Sequence, residues 1–193
     1  MEKGSYGYMD DYKRRKLMVS AILLSLIAVA IIVVLVVFQT KNTFFIVIPI
    51  ILVLPFAKYF VAFIVVQPYV TMARESYERV CQVVSGNEHI VPVYDVTLVS
   101  EAGISYLDFI IVLDGVVYGC ASHSNKKFKA LDMQAYLQKL IQGAGYQNKA
   151  FVYEGIEETL QAVNKRLKAI PQSHSYNDKS SKSIKKAILV VGV

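Results

Sequence analysis

The sequence predicts a two-helix transmembrane hairpin joined to a cytoplasmic α/β domain with a mixed sheet, in the order α-β-β-β-α-β-α. Three observations carry this prediction. The chain of 193 residues is 54% hydrophobic and 19% charged, whereas ordinary soluble domains are about 25% charged. The apolar excess is concentrated, because residues 17–66 hold only two charged side chains, Lys41 and Lys58. From residue 67 onward the pattern returns to the alternating and helical periodicities of a globular domain. Four segments result: a basic cytoplasmic N-terminus at 1–16, the hairpin at 17–66, the α/β domain at 67–170 and a basic flexible tail at 171–193.

The first span, 17–38, has no charge and as a helix is about 33 Å long, enough to cross a hydrocarbon core of about 30 Å. A secretory signal would have a shorter apolar core and a small-residue cleavage site; Val-Val-Phe-Gln-Thr-Lys offers none, so the span reads as a retained anchor. The polar break at 39–42 is too short for a domain, and 43–66 supplies the second span. Lys13, Arg14, Arg15 and Lys16 precede the first span, against Lys41 alone in the turn. The positive-inside rule then puts both termini in the cytoplasm, in a plasma (inner) membrane. Lys58 with Tyr59 reads as an interfacial anchor, since a lysine deep in a bilayer is costly and neither span has an acid to pair with it. Two spans with one ionisable group leave no evident transport pathway.

In the domain, residues 69–85 carry apolar side chains at helical spacing and stop at Gly86-Asn87. Residues 91–100 and 105–113 read as strands, with a turn at Ala102-Gly103. A third strand covers 116–122, set off by Asp114-Gly115, a strong hairpin signal. Residues 131–142 form an amphipathic helix ending at glycines 143 and 145. A buried strand at 150–153 precedes a helix at 156–168, which starts with Glu157 and Glu158 and ends with Lys165, Arg166 and Lys168, as the helix dipole favours. A strand returning after a helix joins the same sheet by a crossover, which makes the sheet mixed. Residues 184–193 are apolar again and are expected to add an edge strand or remain unpaired.

This element order resembles the PD-(D/E)XK nuclease-like superfamily, whose core is a helix, a three-strand meander, a helix and a strand. The segment Leu-Asp-Phe-Ile-Ile-Val-Leu-Asp-Gly-Val-Val-Tyr at 107–118 looks like the one in which that family places its first metal-binding aspartate, here Asp108. The family's acid-x-lysine signature is absent, because Cys120 and Ser122 stand where the glutamate and lysine belong. The resemblance implies two readings. Under the first the domain is a non-catalytic, restriction-endonuclease-like binding or scaffolding module needing no cofactor. Under the second it is a membrane-anchored nuclease in which Asp108 and Glu75 or Glu78 hold Mg²⁺ or Mn²⁺ and Lys126 or Lys127 replaces the missing lysine. Strand alternation leaves open whether Asp95, Asp108 and Asp114 cluster.

Other chemistries lack their residues. Cys120 and His123 have no second ligand pair for zinc, and two cysteines do not make a disulfide scaffold. No P-loop, H-E-x-x-H or G-x-S-x-G occurs. The net charge of +6 comes from the membrane flanks and the tail, whereas residues 67–170 carry ten basic and eleven acidic side chains. Membrane lipids are therefore the expected partners, met by Lys13, Arg14, Arg15, Lys16, Lys58, Tyr59 and the tail lysines, and nucleic acid is not. A membrane protein partner or a second copy of the chain is compatible with the spans.

Overall fold

The computed structural model describes residues 1–38, 47–100, 103–122, 130–147, 149–171, 176 and 178–191. Two compact units emerge: Met9–Val70, and a discontinuous unit made of Met1–Tyr8 with Thr71–Val193.

The first unit consists of α1 (Tyr8–Phe38) and α2 (Val47–Val66), both long and apolar enough to cross a membrane. They run antiparallel. Ile27, Ile31 and Leu35 of α1 line an apolar cleft of about 330 Å³ with Pro49, Ile50 and Val53 of α2. At the other end Lys13 donates to the Tyr69 carbonyl just beyond α2. Helix α1 begins well before the expected residue 17 because 8–16 continues the same helix, with Asp10 and Asp11 in its first turn, where the dipole favours acids. Pro55 lies inside α2.

The second unit is a four-stranded mixed sheet of order β1-β2-β3-β4. Strands β1 (Ile90–Ser100), β2 (Gly103–Leu113) and β3 (Val116–Cys120) form an antiparallel meander, and β4 (Ala150–Tyr153) pairs parallel to β3. The crossover is α4 (Ala130–Gly143). Asp114 (φ 49°) and Gly115 (φ 78°) take the left-handed conformations that a tight β2–β3 turn requires. Helices α3 (Arg74–Ser85) and α5 (Ile156–Ala169) cover one face of the sheet, while α4 and α6 (Asp178–Val191) cover the other. Strand β2 is buried on both sides, which is why 109–113 reads as an unbroken apolar run, Phe-Ile-Ile-Val-Leu.

Three expectations are corrected here. Helix α3 starts at Arg74 and not at Tyr69, because residues 69–73 are used differently: the Thr71 hydroxyl donates to Asp95 and the Met72 carbonyl accepts from Tyr6. Strand β3 ends at Cys120, since Ser122 turns its amide and hydroxyl onto Asp108. The segment expected to be a flexible tail, with 184–193 adding an edge strand or remaining unpaired, is instead largely helix α6. Ser181, Ile184 and Ile188 recur at a spacing of three and four residues, and all three are buried.

The N-terminal residues belong to the domain. The Tyr94 amide, on the outer edge of β1, donates to the Gly4 carbonyl at 2.9 Å, and the Tyr6 ring stacks on Tyr77 at 4.0 Å. Gly4 has φ +81°, and a Cβ there would lie 2.8 Å from Val93 and 2.9 Å from Leu189. Gly4→Ala is therefore expected to release this strap, at a cost of about 1 kcal/mol or more. Faster hydrogen exchange at the Tyr94 amide would report the release; unchanged protection would contradict it.

Candidate functional site

Regular alternation along β1 and β2 breaks at one rung of the sheet. Val93, Val96 and Leu98 of β1 all pack on the α4/α6 side, as do Leu107, Ile110 and Val112 of β2. Each strand thus shifts face by one residue, β1 between 93 and 96 and β2 between 107 and 110. The backbone change in β1 is Asp95, at φ 51°, a left-handed conformation that aspartate tolerates better than most side chains. Asp95 stands opposite Asp108, between the paired rungs Tyr94–Phe109 and Val96–Leu107. Asp95 and Asp108 are thereby brought to one rung. Asp114 is not, for it lies at the hairpin tip, 3.9 Å from Arg166.

Both carboxylates are buried, Asp95 at 2% exposure and Asp108 at 0%. Burying an ionised carboxylate is costly unless donors surround it. Asp95 accepts from the Tyr106 hydroxyl at 2.6 Å and from the Thr71 hydroxyl at 3.1 Å. One oxygen of Asp108 accepts from the Ser122 amide at 2.6 Å and the Ser122 hydroxyl at 2.8 Å. Among the described residues, no buried side-chain nitrogen or oxygen lacks a partner. Ser122, at the position expected for the family's lysine, thus acts as the donor that holds the aspartate.

Cys120, expected where the family has its glutamate, lies fully buried on the α3/α5 side of β3. Burial pushes its thiol up to about 12, the nearby Asp108 charge adds to that shift, and a hydrogen bond with Thr159 partly offsets it. The folded state therefore keeps the thiol protonated where an unfolded chain, at about 9, would ionise. The unfolded state binds fewer protons between those values, so this group's contribution to stability falls as pH rises from about 9 toward about 12. Native protein at pH 8 is expected to expose one slowly alkylating thiol, the half-buried Cys81, with Cys120 reacting only on denaturation. Modification of both at equal rates without denaturant would contradict this assignment.

The remaining candidates that are described lie apart on the surface of α3. Glu75 and Glu78 are exposed on α3, and Glu78 pairs with Arg74 at 3.1 Å. Lys126 and Lys127 lie outside the described residues, as do His123 and Lys41. Among the described residues no group of three His, Cys, Asp or Glu side chains could hold a metal ion.

The basic run before the first apolar segment divides by face. Lys16 places its ammonium 4.9 Å from the ring centres of both Tyr12 and Tyr59, a cation–π arrangement joining the start of α1 to the later part of α2. Lys13 also turns inward, to the Tyr69 carbonyl. Arg14 and Arg15 face outward, with Arg15 2.9 Å from Asp11, and Lys58 is exposed. Sequence reasoning missed the carboxylate donors Tyr106, Thr71 and Ser122, which are ordinary residue types with no distinguishing spacing. It also missed the fixed face of α6, which the recurrence of Ser181, Ile184 and Ile188 could have signalled. No protein-family model matches the chain, and no curated protein or solved structure matches it.

Proposed function

We propose that this chain is an integral protein of a plasma or inner membrane, with both termini cytoplasmic, and that its α/β domain serves there as a non-catalytic binding or scaffolding module. The observation that carries the membrane reading is the outward display of apolar side chains along α1 and α2. Leu35 and Val36 are 69% and 65% exposed and Leu54 is 72% exposed, far more contiguous apolar surface than a water-soluble monomer displays. Hydrocarbon is the solvent that such helices fit. Four consecutive basic residues at the start of the first span favour the cytoplasmic orientation. The non-catalytic reading is supported by the way Ser122 engages Asp108 and by the exposed, separate positions of Glu75 and Glu78.

The test uses the full chain. It should stay with the membrane fraction through alkaline carbonate washing, and a cysteine placed at Ser5 should react with impermeant reagents only from the cytoplasmic side. Extraction by carbonate would overturn the membrane reading. Mg²⁺- or Mn²⁺-dependent cleavage of DNA or RNA by the purified chain, lost in a folded Asp108→Asn variant, would overturn the non-catalytic reading and favour the anchored nuclease.

A further inference from the structure

We infer that the outer face of α6 is a docking surface for anionic lipid headgroups. Lys179, Lys182 and Lys186 are exposed, and with Val190, which is 81% exposed, they recur at the spacing of one helix stripe. At about 100° per residue these four positions fall within roughly 80° of arc. The stripe lies opposite Ser181, Ile184 and Ile188, which are buried against the sheet. Its direction is therefore fixed by the core, unlike that of a charged tail. None of the three lysines has an ion-pair partner among the described residues, and the helix's one acid, Asp178, lies 3.1 Å from His89.

The lysines are not placed for helix stability. Helix α5 follows the dipole, with Glu157 and Glu158 in its first turn and Arg166 and Lys168 in its last. Helix α6 also has an acid, Asp178, in its first turn, but its lysines lie in the first two-thirds and no basic residue stands in the last turn, where cations would be favoured. The stripe then ends in an exposed valine, so three cations are followed by an apolar side chain on the same line. That order suits a headgroup layer, in which ammonium groups meet phosphates while an apolar tip enters the acyl boundary. Residues 67–170 are nearly neutral, so this face supplies a positive potential that the body of the domain lacks.

This inference rests on the membrane reading, and the test separates the two. The full chain carrying Val190→Cys is placed in nanodiscs of phosphatidylcholine alone or mixed with phosphatidylserine. Labelling of that cysteine by an impermeant maleimide is read by peptide mass spectrometry, so that Cys81 and Cys120 do not interfere. The anionic discs are expected to slow labelling about five-fold or more, with about five-fold gained per engaged lysine. Protection should vanish in high salt and in Lys179→Gln/Lys182→Gln/Lys186→Gln, whose thermal unfolding should match the parent because the three side chains are exposed. Equal labelling in both lipids, or protection that survives the triple substitution, overturns the proposal while leaving the membrane reading intact. Failure of the chain to enter discs overturns both. Lysine-dependent binding of a short RNA, with no response to phosphatidylserine, would assign the face to nucleic acid instead.

Discussion

Ile184→Ala is expected to lower the stability of the domain by about 2–5 kcal/mol and to loosen α6 first. Ile184 is fully buried between α6 and the sheet, in the layer that holds Val93, Val112, Leu137 and Ile188. Its truncation removes transfer free energy and leaves a cavity that a close-packed layer cannot collapse to fill. Besides Ile188 in the same layer, α6 is held by polar contacts near its ends and middle: the Gly115 amide donates to Ser181 at 3.3 Å, the Lys3 ammonium donates to the Leu189 carbonyl at 3.2 Å, and Asp178 meets His89. Hydrogen exchange should therefore accelerate across 178–191 before it does so in β2. Unaltered thermal unfolding would show that α6 contributes no packing and would remove the physical basis of its fixed lysine face.

Tyr106→Phe is the second large effect, and it isolates a single hydroxyl. The ring is buried, so phenylalanine keeps the packing while the 2.6 Å donor to Asp95 is lost. Leaving a buried acceptor without its donor costs about 1–3 kcal/mol, and Asp95 occupies a left-handed backbone position that cannot relax into a regular strand without reversing the face of its neighbours. For a chain of this length the loss should appear as a fall in unfolding temperature of roughly 2–12 °C. Thr71→Ala, which removes a longer and less buried donor, should cost less. A Tyr106→Phe protein as stable as the parent would mean that Asp95 does not depend on this hydroxyl.

Much of the architecture is legible in the sequence because it follows from local pattern. The unbroken apolar run of β2, the Asp114-Gly115 turn and the dipole-matched charges of α5 each specify their element without long-range information. The mixed sheet follows from one strand arriving after one helix. The face shift at Asp95 and Asp108 is not legible, since VPVYDVTLVS alternates smoothly on paper and only the pairing of two strands reveals that both break at one rung. Helix α6 escaped because its Ser- and Lys-rich composition resembles a disordered tail, although Ile184 and Ile188 supply a helical anchor. Asp108 stood out as a candidate, but its partner Ser122 could be found only in three dimensions.

The strap of Met1–Tyr8 makes Met9–Val70 an insertion within the domain rather than an appendage to it. The strap precedes both apolar helices in the chain, while its receivers, Met72, Tyr77, Tyr94 and Leu189, follow them. Closing the strap onto these receivers spans a loop that contains both apolar helices. Such long-range closure is slow compared with local pairing.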